Sequence, residues 1–224
     1  MIEYTLIRSR RKTASLHIKP EGVEVRVPLK YPRAKVDEFV MSKEEWINSK
    51  LNELQKRIEK KRTFALNYGD TIMYRGVAYS IVAKDVTQPE FEGRCFYLPP
   101  NLESDTIKAI CVATYRHLAR IHIIDRTAVY AELMGVTPAK VKINNAKTRW
   151  GSCSHKKNIN FSWRLIMADD DVIDYVIVHE LAHLLELNHS RMFWDIVENI
   201  MPNYRECNLR LNQLEKRLVQ ENWE

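Results

Sequence analysis

No stretch of the 224-residue chain approaches the ~20 consecutive apolar residues of a membrane-spanning helix. The opening MIEYTLIRSRRK alternates apolar and polar residues and lacks the apolar run of a signal peptide. No membrane partner is therefore expected, and the cytoplasm is the expected location. Cysteine is sparse as well. Cys95, Cys111, Cys153 and Cys207 form neither a C-x-x-C pair nor a disulfide-dense pattern, so reduced thiols are expected. A closed structural zinc with Cys153 or Cys207 as fourth ligand is the alternative. There are only 6 glycines and no Gly-rich loop of the kind that cradles phosphates. Internal repeats, low-complexity segments and recognised DNA- or RNA-binding motifs are all missing.

What is present is an ordinary globular composition. At 45% hydrophobic content the chain can bury a core in one larger domain or two small ones. The net charge of +6 is uneven. Arg8, Arg10, Arg11 and Lys12 form one basic cluster, and Lys56, Arg57, Lys60, Lys61 and Arg62 form another. Either could meet phosphates, a nucleic acid or an acidic surface. The blander reading is a solvated hairpin turn for the first cluster and a helix C-terminus, which cations stabilise, for the second.

The densest chemical signal is His179-Glu180-Leu181-Ala182-His183, followed by His189. On a helix, positions i and i+4 project from one face, so both imidazoles can reach one cation, while Glu180 can hold a water beside it. Catalytic zinc sites use three protein ligands and leave a position for water, which makes His189 the natural third ligand. Ile173, Ile177, Leu181 and Leu184 recur at helical spacing away from the histidines, and Asp169, Asp170 and Asp171 suit the helix start. A straight helix would turn His189 some 100° or more away and lift it about 9 Å, so the helix is expected to end near Glu186 or Leu187. Asn188 is the expected left-handed residue, with Ser190 capping a following helix that buries Phe193, Ile196, Val197 and Ile200.

Elsewhere the hydrophobic period changes several times. Alternation at Ile2, Tyr4 and Leu6, at Leu16 and Ile18, and at Val23, Val25 and Val27 predicts a β-meander, with Pro20-Glu21-Gly22 as a turn. A short helix after Pro32 and a longer one begun by a Ser42–Glu45 capping box should come next, the second burying Trp46, Ile47, Leu51, Leu54 and Ile58. Strands are expected at 71–74, 77–83 and 94–98, then a long helix over 105–133. Short strands at 141–144, 148–150 and 158–163 precede the histidine helix, and two helices broken at Pro202 end the chain. Pro99-Pro100-Asn101 is the clearest punctuation, so the expected domains are 1–100 and 101–224. The fold class is α+β.

The segments Lys147-Thr148-Arg149-Trp150-Gly151-Ser152-Cys153, Asn158-Ile159-Asn160-Phe161, Tyr175 to His183 and Asn188-His189-Ser190-Arg191-Met192-Phe193-Trp194 resemble the YgjP-like family of zinc metallopeptidases. The resemblance runs over most of the chain and is sharpest from Lys147 to Trp194. It implies a zincin-like catalytic domain, related to SprT-type peptidases, behind an N-terminal β-rich region. It also implies zinc on His179, His183 and His189, Glu180 as general base and a polypeptide substrate. Metzincins share the histidine interval, but with Gly where Glu186 stands, and they add a methionine turn that Met201 could imitate. A glutamate-ligand zincin would instead recruit Glu198 or Glu206.

Around this core, Arg149, His155, Arg191 and Tyr204 are candidate donors to a developing oxyanion or to substrate, by chemistry and neighbourhood in the chain. The resemblance also implies that the 148–161 segment supplies a substrate-binding edge strand. Trp150 and Trp194 read as core aromatics, Gly151 as a bulge or tight turn, and Cys153 as a buried thiol. Two other functions share the same residues. One is a metal-dependent nucleoside-triphosphate pyrophosphatase or hydrolase, and the other a binding protein with a structural zinc.

Overall fold

Three valines organise the first sheet. In the computed structural model, which describes residues 2–223, β1 (Tyr4–Ser9), β2 (Ser15–Lys19) and β3 (Gly22–Pro28) pair in the order β1-β3-β2. Strand β3 carries Val23, Val25 and Val27, all buried, and takes the centre. The expected meander is therefore corrected. The Pro20-Glu21 turn pairs β2 antiparallel to β3, while the longer 10–14 connection carries the chain across β3, so β1 and β3 run parallel. That connection is consequently not a hairpin turn.

Helices α1 (Arg33–Met41) and α2 (Glu44–Arg62) cover the valine face with Val36, Val40 and Ile47. Each such side chain contributes about 1.5–3 kcal/mol on burial. The expected capping box does not form. Ser42 is used to end α1, its hydroxyl donating to the Phe39 carbonyl at 2.8 Å. Helix α2 starts instead with Glu44 and Glu45 at its positive end and finishes with Lys60, Lys61 and Arg62 at its negative end. Trp46 and Ile58 point to solvent rather than inward.

By packing, the chain divides into two units, residues up to 64 with 219–222, and residues 65–218 with Trp223. The division falls well before Pro99-Pro100-Asn101. The reason is that the second sheet belongs with the elements C-terminal to it. Strands β4 (Thr71–Tyr74), β5 (Val77–Ala83), β6 (Glu90–Glu92) and β7 (Cys95–Leu98) pair in the order β4-β5-β7-β6. Tyr115 donates to the Met73 carbonyl at 2.7 Å, and the Arg75 N–H donates to the Ile166 carbonyl at 2.9 Å. Strand β6 lies between the strands expected at 77–83 and 94–98, where Phe91 is held by the rings of Tyr74, Tyr79 and Phe96.

Helix α3 (Ser104–Leu133) buries every fourth residue from Ile107 to Ala131 and runs beside α4 (Asp170–Ala182). A third mixed sheet, β8 (Lys140–Asn144), β9 (Gly151–Cys153) and β10 (Asn158–Ser162), has the order β8-β10-β9. The strand expected at 148–150 begins later, because side chains pin the loop before it. Trp163 and Arg164 both donate to Asn145 Oδ1, at 2.8 and 2.9 Å, and Ser162 Oγ donates to the Ala146 carbonyl at 2.7 Å. Helices α5 (Arg191–Ile200) and α6 (Tyr204–Leu218) complete an α+β chain of six α-helices and three small mixed sheets among the described residues.

Helix α4 is the axis of this unit. From Val172 to Ala182 only His179 is not buried, as expected of a helix apolar on nearly all sides. Three acidic residues at and near its start are held. Asp169 caps the helix by accepting from the Val172 N–H, Asp170 accepts from Arg75 at 2.7 Å, and Asp174 accepts from Arg126 at 2.8 Å. The Arg75 hydrogen bond holds the Asp170 carboxyl below its ordinary range. A depressed carboxyl stabilises the fold above its unfolded pKa, and that contribution is lost as pH falls through the folded value. Asp170→Asn should therefore lower the melting temperature at pH 7 and make little difference at pH 2. An equal deficit at both would mean that the pair acts through packing alone.

Candidate metal centre

The last two turns of α4 place His179 and His183 side by side, with ring centroids 5.2 Å apart. The helix then stops sooner than expected. Ala182 is its final residue, His183 caps it, and the Leu185 and Glu186 N–H groups both donate back to the Ala182 carbonyl. Asn188 is not left-handed. The chain is turned instead by Glu186, whose Oε1 accepts the Asn188 N–H at 3.2 Å, and by the Ser190 N–H donating to the Asn188 carbonyl at 2.8 Å. Ser190 Oγ then accepts from the Phe193 N–H and starts α5, as its sequence position suggests.

This turn brings His189 back over the helix. The donor nitrogens of His179, His183 and His189 all lie within 4.8 Å of one another, and the Nε2 atoms of His179 and His189 face each other at 3.0 Å. Phe193 is fully buried against all three rings, with centroids 4.6–5.0 Å away. Trp194 lies 5.8 Å from both His179 and His189 and stacks on Tyr204. Trp194 and Tyr204 thus form an aromatic wall beside the imidazoles.

The donor chemistry fits a metal ion. The Glu186 carbonyl can only accept, so His183 Nδ1, 3.2 Å away, carries the proton and leaves the Nε2 lone pair free. Burial and the two neighbouring imidazoles push His179 down to about 3, and burial also lowers His183, so both rings are neutral at physiological pH. Neutral imidazoles with converging lone pairs are what a divalent cation such as zinc requires. Cys153, Cys207, Glu198 and Glu206 are not part of the cluster. Glu198 is paired with Arg205 at 2.7 Å.

Glu180 is buried, and burial pushes its carboxyl up to about 8, with the Arg149 charge pulling it partly back. Of the four candidate contacts, Arg149 is thus the one that acts on Glu180. His155 lies on the exposed turn between β9 and β10. Arg191 is almost wholly exposed, 3.9 Å from Asp195. Tyr204 is buried in the aromatic wall. Two residues escape sequence reasoning. Glu186 shapes the turn to His189, and Gly151, not a bulge or tight turn but the first residue of β9, lies directly on Glu180. Nothing in the local pattern marks either role, because each partner is reached only through the turn or across the fold.

Glu186→Ala should weaken metal binding, assayed with zinc, about tenfold, the lower end of what a hydrogen bond behind the metal-ligating residues contributes. Glu186→Gln, which keeps an acceptor for the Asn188 N–H, should restore most of it. Competition with a zinc chelator measures both. Unchanged affinity in Glu186→Ala would show that the turn holds without the carboxylate.

Converging imidazoles on an α+β scaffold, with a buried carboxylate between the first two, are the arrangement of a metal-dependent enzyme. The chain belongs to the YgjP-like family, whose metallopeptidase domain matches residues 12–214, and it is accordingly a metallopeptidase. Two solved structures resemble part of it. The metallopeptidase zymogen abylysin of Pyrococcus abyssi is 25% identical over 45% of this chain and 97% of that one, with a TM-score of 0.38. The metallopeptidase zymogen jannalysin of Methanocaldococcus jannaschii is 22% identical over 41% of this chain and 94% of that one, with a TM-score of 0.37. No curated protein matches. Among the described residues, no helix is long and apolar enough to cross a membrane.

Proposed function

We propose that the chain is a zinc-dependent peptidase in which His179, His183 and His189 hold the ion and Glu180 is the general base. The convergence of the three ring nitrogens carries this reading. When bound, zinc would supply a Lewis acid for the scissile carbonyl and raise the acidity of the attacking water. Glu180 takes the proton from that water as it adds to the carbonyl carbon. It then delivers the proton to the amine as the C–N bond breaks. A carboxyl tuned upward by burial suits both halves of this exchange, since a base that must also act as an acid works best near the operating pH.

Arg149 is the candidate for meeting negative charge as it develops, because its charge already acts on Glu180. A polypeptide fits the site through β9, an edge strand packed on α4. The free edge of such a strand offers backbone groups to an extended chain added beside it. The test is hydrolysis of a denatured-protein and peptide library, next to a nucleoside-triphosphate panel, by the zinc-loaded wild type and Glu180→Gln. Glu180-dependent peptide cleavage is expected. Glu180-dependent release of phosphate or pyrophosphate would move the function to nucleotide hydrolysis. No turnover on either, with zinc retained, would leave a structural zinc.

A further inference from the structure

We propose that Gly151 is a positioning residue for Glu180, an inference that rests on the reading of Glu180 as the base. A Cβ built at position 151 would lie 2.4 Å from Glu180 Oε1, 2.5 Å from Cγ and 2.6 Å from Cδ. Its three nearest neighbours are all atoms of that one side chain. The glycine is needed for space rather than for conformation, since its φ is not in the left-handed region, unlike those of Gly22, Gly69, Gly76, Gly93 and Gly135. The strand backbone therefore lies flat against the carboxylate.

Neither backbone can retreat without cost, so a group added at 151 would have to be met by the Glu180 side chain swinging aside. On one side β9 is held by β10, with Gly151 opposite Phe161 and the Ser162 N–H donating to the Trp150 carbonyl at 2.8 Å. On the other, Glu180 sits on the buried helix α4 between Val178, His179, Leu181 and Ala182, of which all but His179 are buried. Among the described residues no hydrogen bond holds the Glu180 carboxylate. Packing against Gly151 is thus what directs the side chain. A methyl group at 151 would turn the carboxylate away or force the strand off the helix.

The test is a double-mutant cycle of the full chain: wild type, Gly151→Ala, Glu180→Ala and the double variant, each followed by thermal melting with and without zinc. The melting temperature should fall clearly for Gly151→Ala in the Glu180 background. It should fall much less in the Glu180→Ala background, where Cγ, Cδ and both oxygens are gone. Rescue of folding in the double variant alone would give the same answer. An equal deficit in both backgrounds, or failure of both to fold, would overturn the proposal and make Gly151 a requirement of β9 itself.

This readout does not depend on activity, so it stands apart from the fate of the base assignment. On peptide substrate, Gly151→Ala should lower kcat about 10²-fold, the effect of displacing a reacting group by roughly 1 Å. KM and zinc affinity should stay within a few-fold. A rise in KM with kcat unchanged would place Gly151 in substrate binding instead.

Discussion

Glu180→Gln is expected to keep the fold and the zinc while lowering peptide hydrolysis by several orders of magnitude. General-base catalysis contributes about 10²–10⁴-fold, so at about 1.4 kcal/mol per decade the loss is on the order of 3–5 kcal/mol of transition-state stabilisation. Glutamine has nearly the same shape and still fills the space beside Gly151, so the change removes proton transfer and little else. Stability should not suffer. Burial already disfavours the ionised carboxylate, and a neutral amide avoids that cost. The melting temperature should therefore equal or exceed that of the wild type. The comparison needs three readings on one preparation: kcat on a peptide substrate, bound zinc per chain, and melting. Unchanged turnover would remove Glu180 from the mechanism, whereas lost turnover with lost zinc would mean that it supports the metal instead.

The parts of this centre that the sequence discloses are those encoded within one helix and its caps. His179 and His183 share a face because four residues separate them, and Asp169 and Ser190 cap because their side chains reach an N–H three residues on. The α+β class emerges in the same way from changes of period along the chain. The features that stay hidden depend on partners distant in the chain or on competition between two local signals. Ser42 could cap α2 or close α1, and it closes α1. The parallel β1–β3 pairing is set by which strand can be buried on both edges, not by the order of strands along the chain. Pro99-Pro100 is a strong local break, yet the second sheet packs with residues beyond it, through Tyr115 to Met73 and Arg75 to Ile166. Gly151 is the sharpest case. A single glycine after the strand expected at 148–150 reads as a bulge or turn until the carboxylate pressed against it is seen.

His183→Ala should abolish most of the stabilisation that zinc confers. A ligand that binds only the folded state adds RT ln(1 + [L]/Kd), or about 4 kcal/mol at a thousand-fold excess over Kd. For a chain of this size each kcal/mol moves the melting temperature by roughly 2–4 °C, so wild type should gain on the order of 10 °C with zinc. The gain should appear in the transition of the unit that carries the histidines. His183 is only half-buried, so its loss should disturb the metal-free protein far less than it disturbs the zinc complex. The variant should therefore melt near the metal-free wild type and respond little to added zinc. If wild type itself does not respond, the convergence of the three imidazoles does not create a metal site. If His183→Ala responds as strongly as wild type, the third ligand comes from elsewhere, and Glu198, freed from Arg205, is the first residue to change next.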